Sequence, residues 1–139
     1  MFFQIDPRSN TPLYEQIIQQ VKEMCMKGVL KPDEKLPSVR ELSAQMVINP
    51  NTVSKAYQEL ERQGIIHTLR GRGTFISQDV PTYSDPRRIQ EMKQSLKQMI
   101  VDARYAGLSK QEILTWLEEF YEEMEGNSDE GPASLKDHS

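Results

Sequence analysis

The sequence predicts a mainly α protein in two parts: three short helices closed by a β-hairpin, then two longer helices. Three observations lead there. Two amphipathic helical stretches, one stopping near Val47 and the next capped by Asn49, are separated by a very short turn. A glycine-punctuated apolar run, Ile65 to Ser77, follows the second of them directly. Beyond residue 85, apolar residues recur at alternating steps of three and four, the spacing of a helix that packs on another helix.

The first helix begins at "TPLYEQ", with Thr11 as the expected cap and Pro12 at the first helical position. Leu13, Ile17, Val21 and Met24 mark one face, flanked by Tyr14, Ile18 and Cys25. Gly28 supplies a stop. "LKPDEKLP", with its two prolines, reads as a loop. A second helix opens at "SVRE", where Ser38 and Glu41 have capping-box spacing, and its apolar stripe is Val39, Leu42 and Met46. Asn49 then caps a third helix with Pro50 first; Val53, Ala56, Tyr57 and Leu60 face inward and Gly64 ends it. Two short helices joined this closely form a helix-turn-helix pattern.

Ile65, Ile66, Leu69, Phe75 and Ile76 have strand character, and Arg70-Gly71-Arg72-Gly73 makes a turn with two arginines at its tip. A hairpin in this place makes residues 11–79 a winged helix-turn-helix domain. "QDVPTYSDP" reads as a linker. Asp85 and Pro86 start a long helix whose seam is Ile89, Met92, Leu96, Met99, Ala103 and Ala106, ended by Gly107. Ser109 and Glu112 repeat the capping-box spacing, and Leu108 with Ile113 has that of a hydrophobic staple. The last helix carries Ile113, Leu117, Phe120 and Met124, with Leu114 and Tyr121 alongside. Two such helices bury too little surface to stand alone. Residues 85–125 are therefore expected to be a dimerisation region, a second chain completing a helical bundle around Ile89, Met92, Leu96 and Met99. Residues 126–139, polar and acidic, read as a disordered tail.

Composition bounds the class. Charged residues make up 27% of the 139 and no apolar run approaches the roughly 20 residues of a membrane span, so a soluble protein is expected. "MFFQIDPRSN" lacks the layout of a signal peptide, and the single cysteine, Cys25, has no internal disulfide partner, which points to the cytoplasm. The net charge of −4 hides a split: residues 1–78 hold ten Lys/Arg against eight Asp/Glu, the remainder seven against thirteen. The front part suits an anionic partner and the rear part does not.

The third helix narrows that partner. Its acids, Glu59 and Glu61, lie in its second half, whereas its first turns carry Asn51, Thr52, Ser54 and Lys55. A helix N-terminus with free amides and no acid attracts phosphate, and Asn, Ser and Thr hydrogen-bond base edges in the major groove. A helix-turn-helix delivers that end of its second helix into the groove. Arg40 adds a phosphate or guanine contact, and the hairpin arginines reach a neighbouring groove or the backbone. The expected set contacting double-stranded DNA is Ser38, Arg40, Asn49, Asn51, Thr52, Ser54, Lys55, Arg70, Gly71 and Arg72.

The stretch "KLPSVRELSAQMVINPNTVSKAYQELERQGIIHTLRGRGTFI" closely resembles the DNA-binding domain of GntR-family bacterial transcription regulators. The resemblance covers roughly residues 11–78 and rests on "LPSVREL", "NTVSKAYQELE", "QGII" and "RGRGTF" in that order. The short two-helix tail resembles the YtrA-like subfamily, whose members are dimeric regulators often linked to transporter genes. This implies that Arg40, the start of the third helix and the wing contact DNA. One departure matters: some subfamilies carry an arginine where this chain has Pro50, so base reading falls to Asn51, Thr52, Ser54 or Lys55.

The expected function is a homodimeric, sequence-specific regulator, a repressor acting on an inverted repeat. The competing class is a winged-helix interaction module that binds no DNA. An enzyme is not expected: there is no phosphate-binding glycine loop, nucleophile elbow or metal-ligand cluster, hence no catalytic residue, cofactor or metal. Cys25 and His67 read as structural. Two tail helices leave little room for an effector pocket in one subunit; a pocket between subunits stays open for a small-molecule effector, which the sequence does not name.

Overall fold

The computed structural model describes residues 3–78 and 85–125, which fall into two units. The first contains α1 (Leu13–Met26), β1 (Lys35–Leu36), α2 (Val39–Met46), α3 (Pro50–Arg62), β2 (Ile66–Leu69) and β3 (Gly73–Ile76). The second contains α4 (Pro86–Tyr105) and α5 (Lys110–Glu125).

The apolar stripes of the first unit converge on one core. Ile17 and Val21 of α1, Leu42 of α2, and Val53 and Leu60 of α3 are fully buried, with Leu36 and Ile66 of the sheet. α3 is the hub: α1, α2 and β2 all pack against it. Its Tyr57 is buried, and the phenol O–H donates to the Pro37 carbonyl at 2.7 Å, tying α3 to the turn that launches α2. Burial also pushes the Tyr57 phenol well above its ordinary range. α2 opens with a complete capping box: Ser38 Oγ accepts from the Glu41 N–H at 3.0 Å, and Glu41 Oε1 accepts from the Ser38 N–H at 2.8 Å.

Two local expectations are corrected. Pro12 occupies the cap position of α1, outside the helix, with no side-chain cap bond; Thr11 is spent on the approach, its N–H donating to Ser9 Oγ at 3.1 Å. Lys35–Leu36, inside the stretch read as a loop, is a strand that pairs antiparallel with β3, giving the sheet order β1-β3-β2. At the turn between α2 and α3, Val47 takes the left-handed conformation with φ 53° and ψ 52° while 88% exposed. That conformation is costly for a β-branched side chain, and this one has little packing to offset the cost. Val47→Asn should therefore stabilise the unit by about 1 kcal/mol, read as a higher urea midpoint with an unchanged slope.

In the second unit the ends match the sequence reading. Asp85 accepts from the Arg87 N–H at 3.0 Å, and Ser109 Oγ accepts from the Glu112 N–H at 3.1 Å while Glu112 Oε1 accepts from the Ser109 N–H at 3.2 Å. Gly107, at φ 87°, turns the chain between the helices. The apolar faces are a different matter. Ala103 is the one buried residue of α4, and α5 has none. α4 and α5 do not pack extensively on each other, and Leu96 and Met99 are 54% and 64% exposed. α5 leaves Ile89, Met92, Leu96 and Met99 of the seam exposed. The tail read over 126–139, and most of the linker before α4, lie outside the described residues.

Candidate nucleic-acid interface

The start of α3 is built locally. Asn49 Oδ1 accepts from the Asn51 N–H at 2.8 Å, and the Asn49 carbonyl accepts from the Thr52 N–H at 3.0 Å. Pro50 has no N–H to offer. This corrects one expectation: the amides at this helix end are already engaged and are not free to hold a phosphate. What faces outward is a field and a set of side chains. The macrodipole is positive here and no acid stands in the first turn.

Those side chains fall on the face opposite the core stripe. Asn51 and Lys55, one turn apart, are exposed; Ser54 lies beside them, half-buried, and Thr52 sits at the margin. Gln58, which sequence reading passed over, extends the same face by a turn, its Nε2 donating to Ser54 Oγ at 3.2 Å. The i, i+4 spacing from Ser54 was the signal for it. Asn49 and Ser38 are both expected contacts, and both side-chain oxygens are already spent on caps. The Lys55 ammonium lies over the ring of Tyr14 on α1, 3.9 Å from its centroid.

The acids of α3 stay clear of this end. Glu59 accepts from Arg62 Nε at 2.9 Å and from Gln63 Nε2 at 2.7 Å, and these bonds, Arg62 first, hold its carboxyl down to about 2. Arg40, the second residue of α2, is exposed, and its carbonyl accepts from the buried Ser43 hydroxyl at 3.0 Å, so Ser43 is satisfied without using the guanidinium.

The wing forms as expected. β2 and β3 pair from Ile66↔Ile76 to Leu69↔Gly73, putting Arg70, Gly71 and Arg72 at the exposed tip. His67 stacks on its cross-strand partner Phe75, with ring centroids 5.9 Å apart, in keeping with a structural histidine. Gly71, at φ 79°, has open space where a Cβ would stand, which lets the tip approach a surface closely. Gly73 is needed for its backbone, at φ 122°, where a side chain is strained; a Cβ there would also lie 2.7 Å from Lys35 Cε. The Lys35 stem therefore runs along the wing, bringing a third cation to it. Sequence reading missed Lys35 because only the β1–β3 pairing places it there. Arg40, Arg70 and Arg72 have no acidic partner among the described residues.

The profile described as bacterial regulatory proteins, gntR family, matches residues 13–76. The HTH-type transcriptional repressor YtrA of Bacillus subtilis is 56% identical over 123 residues, spanning 88% of this chain and 95% of that protein. A crystal structure titled as a transcriptional antiterminator from Listeria monocytogenes superimposes with a TM-score of 0.80 at 44% identity, covering 89% of this chain and 92% of that one. YtrA from Sulfolobus acidocaldarius, described as a GntR-family transcription factor, is similar at a TM-score of 0.51 and 32% identity, covering 87% and 97%.

Proposed function

This chain belongs to the GntR family of bacterial regulatory proteins, and from that premise we propose that it is a transcription repressor gripping an inverted-repeat operator as a homodimer. The observation that carries the reading is the outward face of α3. It presents small amides and hydroxyls at the positive end of a helix whose acids are held elsewhere. Such a face suits the major groove of B-form DNA, where Asn51, Thr52 and Ser54 meet base edges. Arg40, Lys55 and the wing arginines hold the phosphates on either side. The same geometry speaks against duplex RNA as the target, since the A-form major groove is too deep and narrow for a helix.

Dimerisation is supported by the uncovered faces of α4 and α5. Ile89, Met92, Leu96 and Met99 on one, and Leu114, Leu117, Phe120 and Tyr121 on the other, are all exposed in a single chain. A second copy supplies what α4 and α5 do not supply each other. Two recognition helices then sit about one DNA turn apart or a multiple of it, which makes the operator an inverted repeat. The protein works where its DNA is, in the cytoplasm, and without catalysis. A small-molecule effector would find its place between the subunits.

A gel shift on the region upstream of its own gene tests the reading; indifference between that fragment and random duplex would overturn it in favour of a module that binds no specific DNA. Within a specific site, Asn51→Ala should cost roughly 1–3 kcal/mol per half-site and relax the choice of base at one position. Selection from randomised operators measures this, and an equally sharp site would remove Asn51 from base reading.

A further inference from the structure

We propose that Tyr14, on the first helix, is a positioning residue for the phosphate grip of Lys55 on the recognition helix. This rests on the DNA-binding reading above. Lys55 stands one turn after Asn51 on the same outward face, so with Asn51 in the groove its ammonium is at the groove wall. A lysine on a flexible four-carbon stem normally loses much rotamer freedom when it binds a phosphate. Here the ordering is done in advance: the ammonium rests 3.9 Å from the centre of the Tyr14 ring. Attraction through a ring face does not use up the N–H donors as an acid would, so those turned away from the ring stay available to a phosphate oxygen.

The support beneath the ring is firm. Tyr14 is half-buried on α1, packed against the core, and α1 lies along α3 through Ile17, Val21, Val53 and Leu60, all fully buried. The two acids nearest the ring do not claim the lysine. Glu15 Oε1 accepts from the Tyr14 hydroxyl at 3.2 Å, and Glu59 is engaged by Arg62 and Gln63. The hydroxyl is thus peripheral to the role, and the ring face is what matters.

The test is a double-mutant cycle in the whole 139-residue chain on a duplex of the region upstream of its own gene, with Tyr14→Phe, Tyr14→Leu, Lys55→Met and the Tyr14→Leu/Lys55→Met pair. Tyr14→Phe keeps the ring and should bind like wild type. Tyr14→Leu should weaken binding about five-fold per half-site, the size of one cation–π contact. Lys55→Met should reduce the log–log salt slope by about 1.8 per dimer, one phosphate from each protomer. In the Lys55→Met background, Tyr14→Leu should have no further effect. Proton chemical shifts of the Lys55 side chain check the geometry separately: its ε-methylene should be shifted upfield by the ring in wild type and Tyr14→Phe, and return to the ordinary position in Tyr14→Leu while core resonances hold. Equal losses for Tyr14→Leu in both backgrounds, a defect in Tyr14→Phe as large as in Tyr14→Leu, or an unshifted wild-type methylene would each overturn the role of Tyr14. Wild-type protein that binds no duplex with salt dependence would overturn the DNA reading as well, so the two failures are distinct.

Discussion

Replacing Leu96 and Met99 together by glutamate is expected to turn the proposed dimer into monomers and to lower affinity for a two-site operator by about 10²–10⁴-fold. Both side chains are more than half exposed in one chain, on a seam that α5 leaves uncovered. In a dimer they would be buried, and a carboxylate buried without a partner is penalised heavily. The winged domain keeps its core, because none of its buried residues comes from α4. Each monomer then grips one half-site and loses the benefit of effective concentration. Gln94→Glu, on the opposite face of α4, is the control and should remain dimeric. Sedimentation velocity decides, and a double variant that stays dimeric and folded moves the interface elsewhere.

The second large effect is electrostatic. If Arg40, Lys55, Arg70 and Arg72 each neutralise one phosphate in both protomers, the log–log salt slope is about −7, from roughly −0.9 per phosphate. Affinity then falls by about four decades between 50 and 200 mM salt. Arg70→Ala with Arg72→Ala removes half of those contacts, so the slope should fall to about −3.6 and the loss over the same range to about two decades. Thermal unfolding of this variant should match wild type, since both arginines sit at the exposed tip of the wing with no acidic partner among the described residues. Titrations at several salt concentrations measure the slope. An unchanged value would take the wing off the backbone, leaving it a structural hairpin.

Much of the candidate interface was legible because it is made of short-range features. Asn49 and Pro50 start α3, and the Ser38–Glu41 box starts α2, through bonds that span two or three residues. The acid-free first turn of α3 is a property of composition along a helix, visible before any fold is known. The wing's register follows from two apolar strands meeting across Arg70–Gly73. Where reading by rule went astray, a local signal had two outcomes. Thr11-Pro12 suits a cap followed by a first turn, yet Gln16 Nε2 reaches back to the carbonyls of Asp6 and Thr11 and holds the approach so that Pro12 itself caps. Val47 carries no sequence mark of a left-handed residue. It is put there by the turn, whose N–H groups at Val47 and Ile48 return to the carbonyls of Ala44 and Ser43.

The sequence by itself determined the helices, the starts of α2 to α5, the hairpin and most of the polar side chains on the outward face of α3, because periodicity and capping act over a few residues of chain. It also determined that α4 and α5 carry more apolar surface than two helices need. Tertiary structure alone decided three things. Two residues of an apparent loop became β1, because β3 had an edge to fill, and with them Lys35 came to the wing. Lys55 was set on Tyr14, 41 positions away in sequence, by the packing of α1 along α3. Ile89, Met92, Leu96 and Met99 on the seam of α4 were left uncovered by α5. Each depends on contacts between residues far apart in sequence, whose energies are set by the meeting of whole surfaces and leave no periodic trace in either segment.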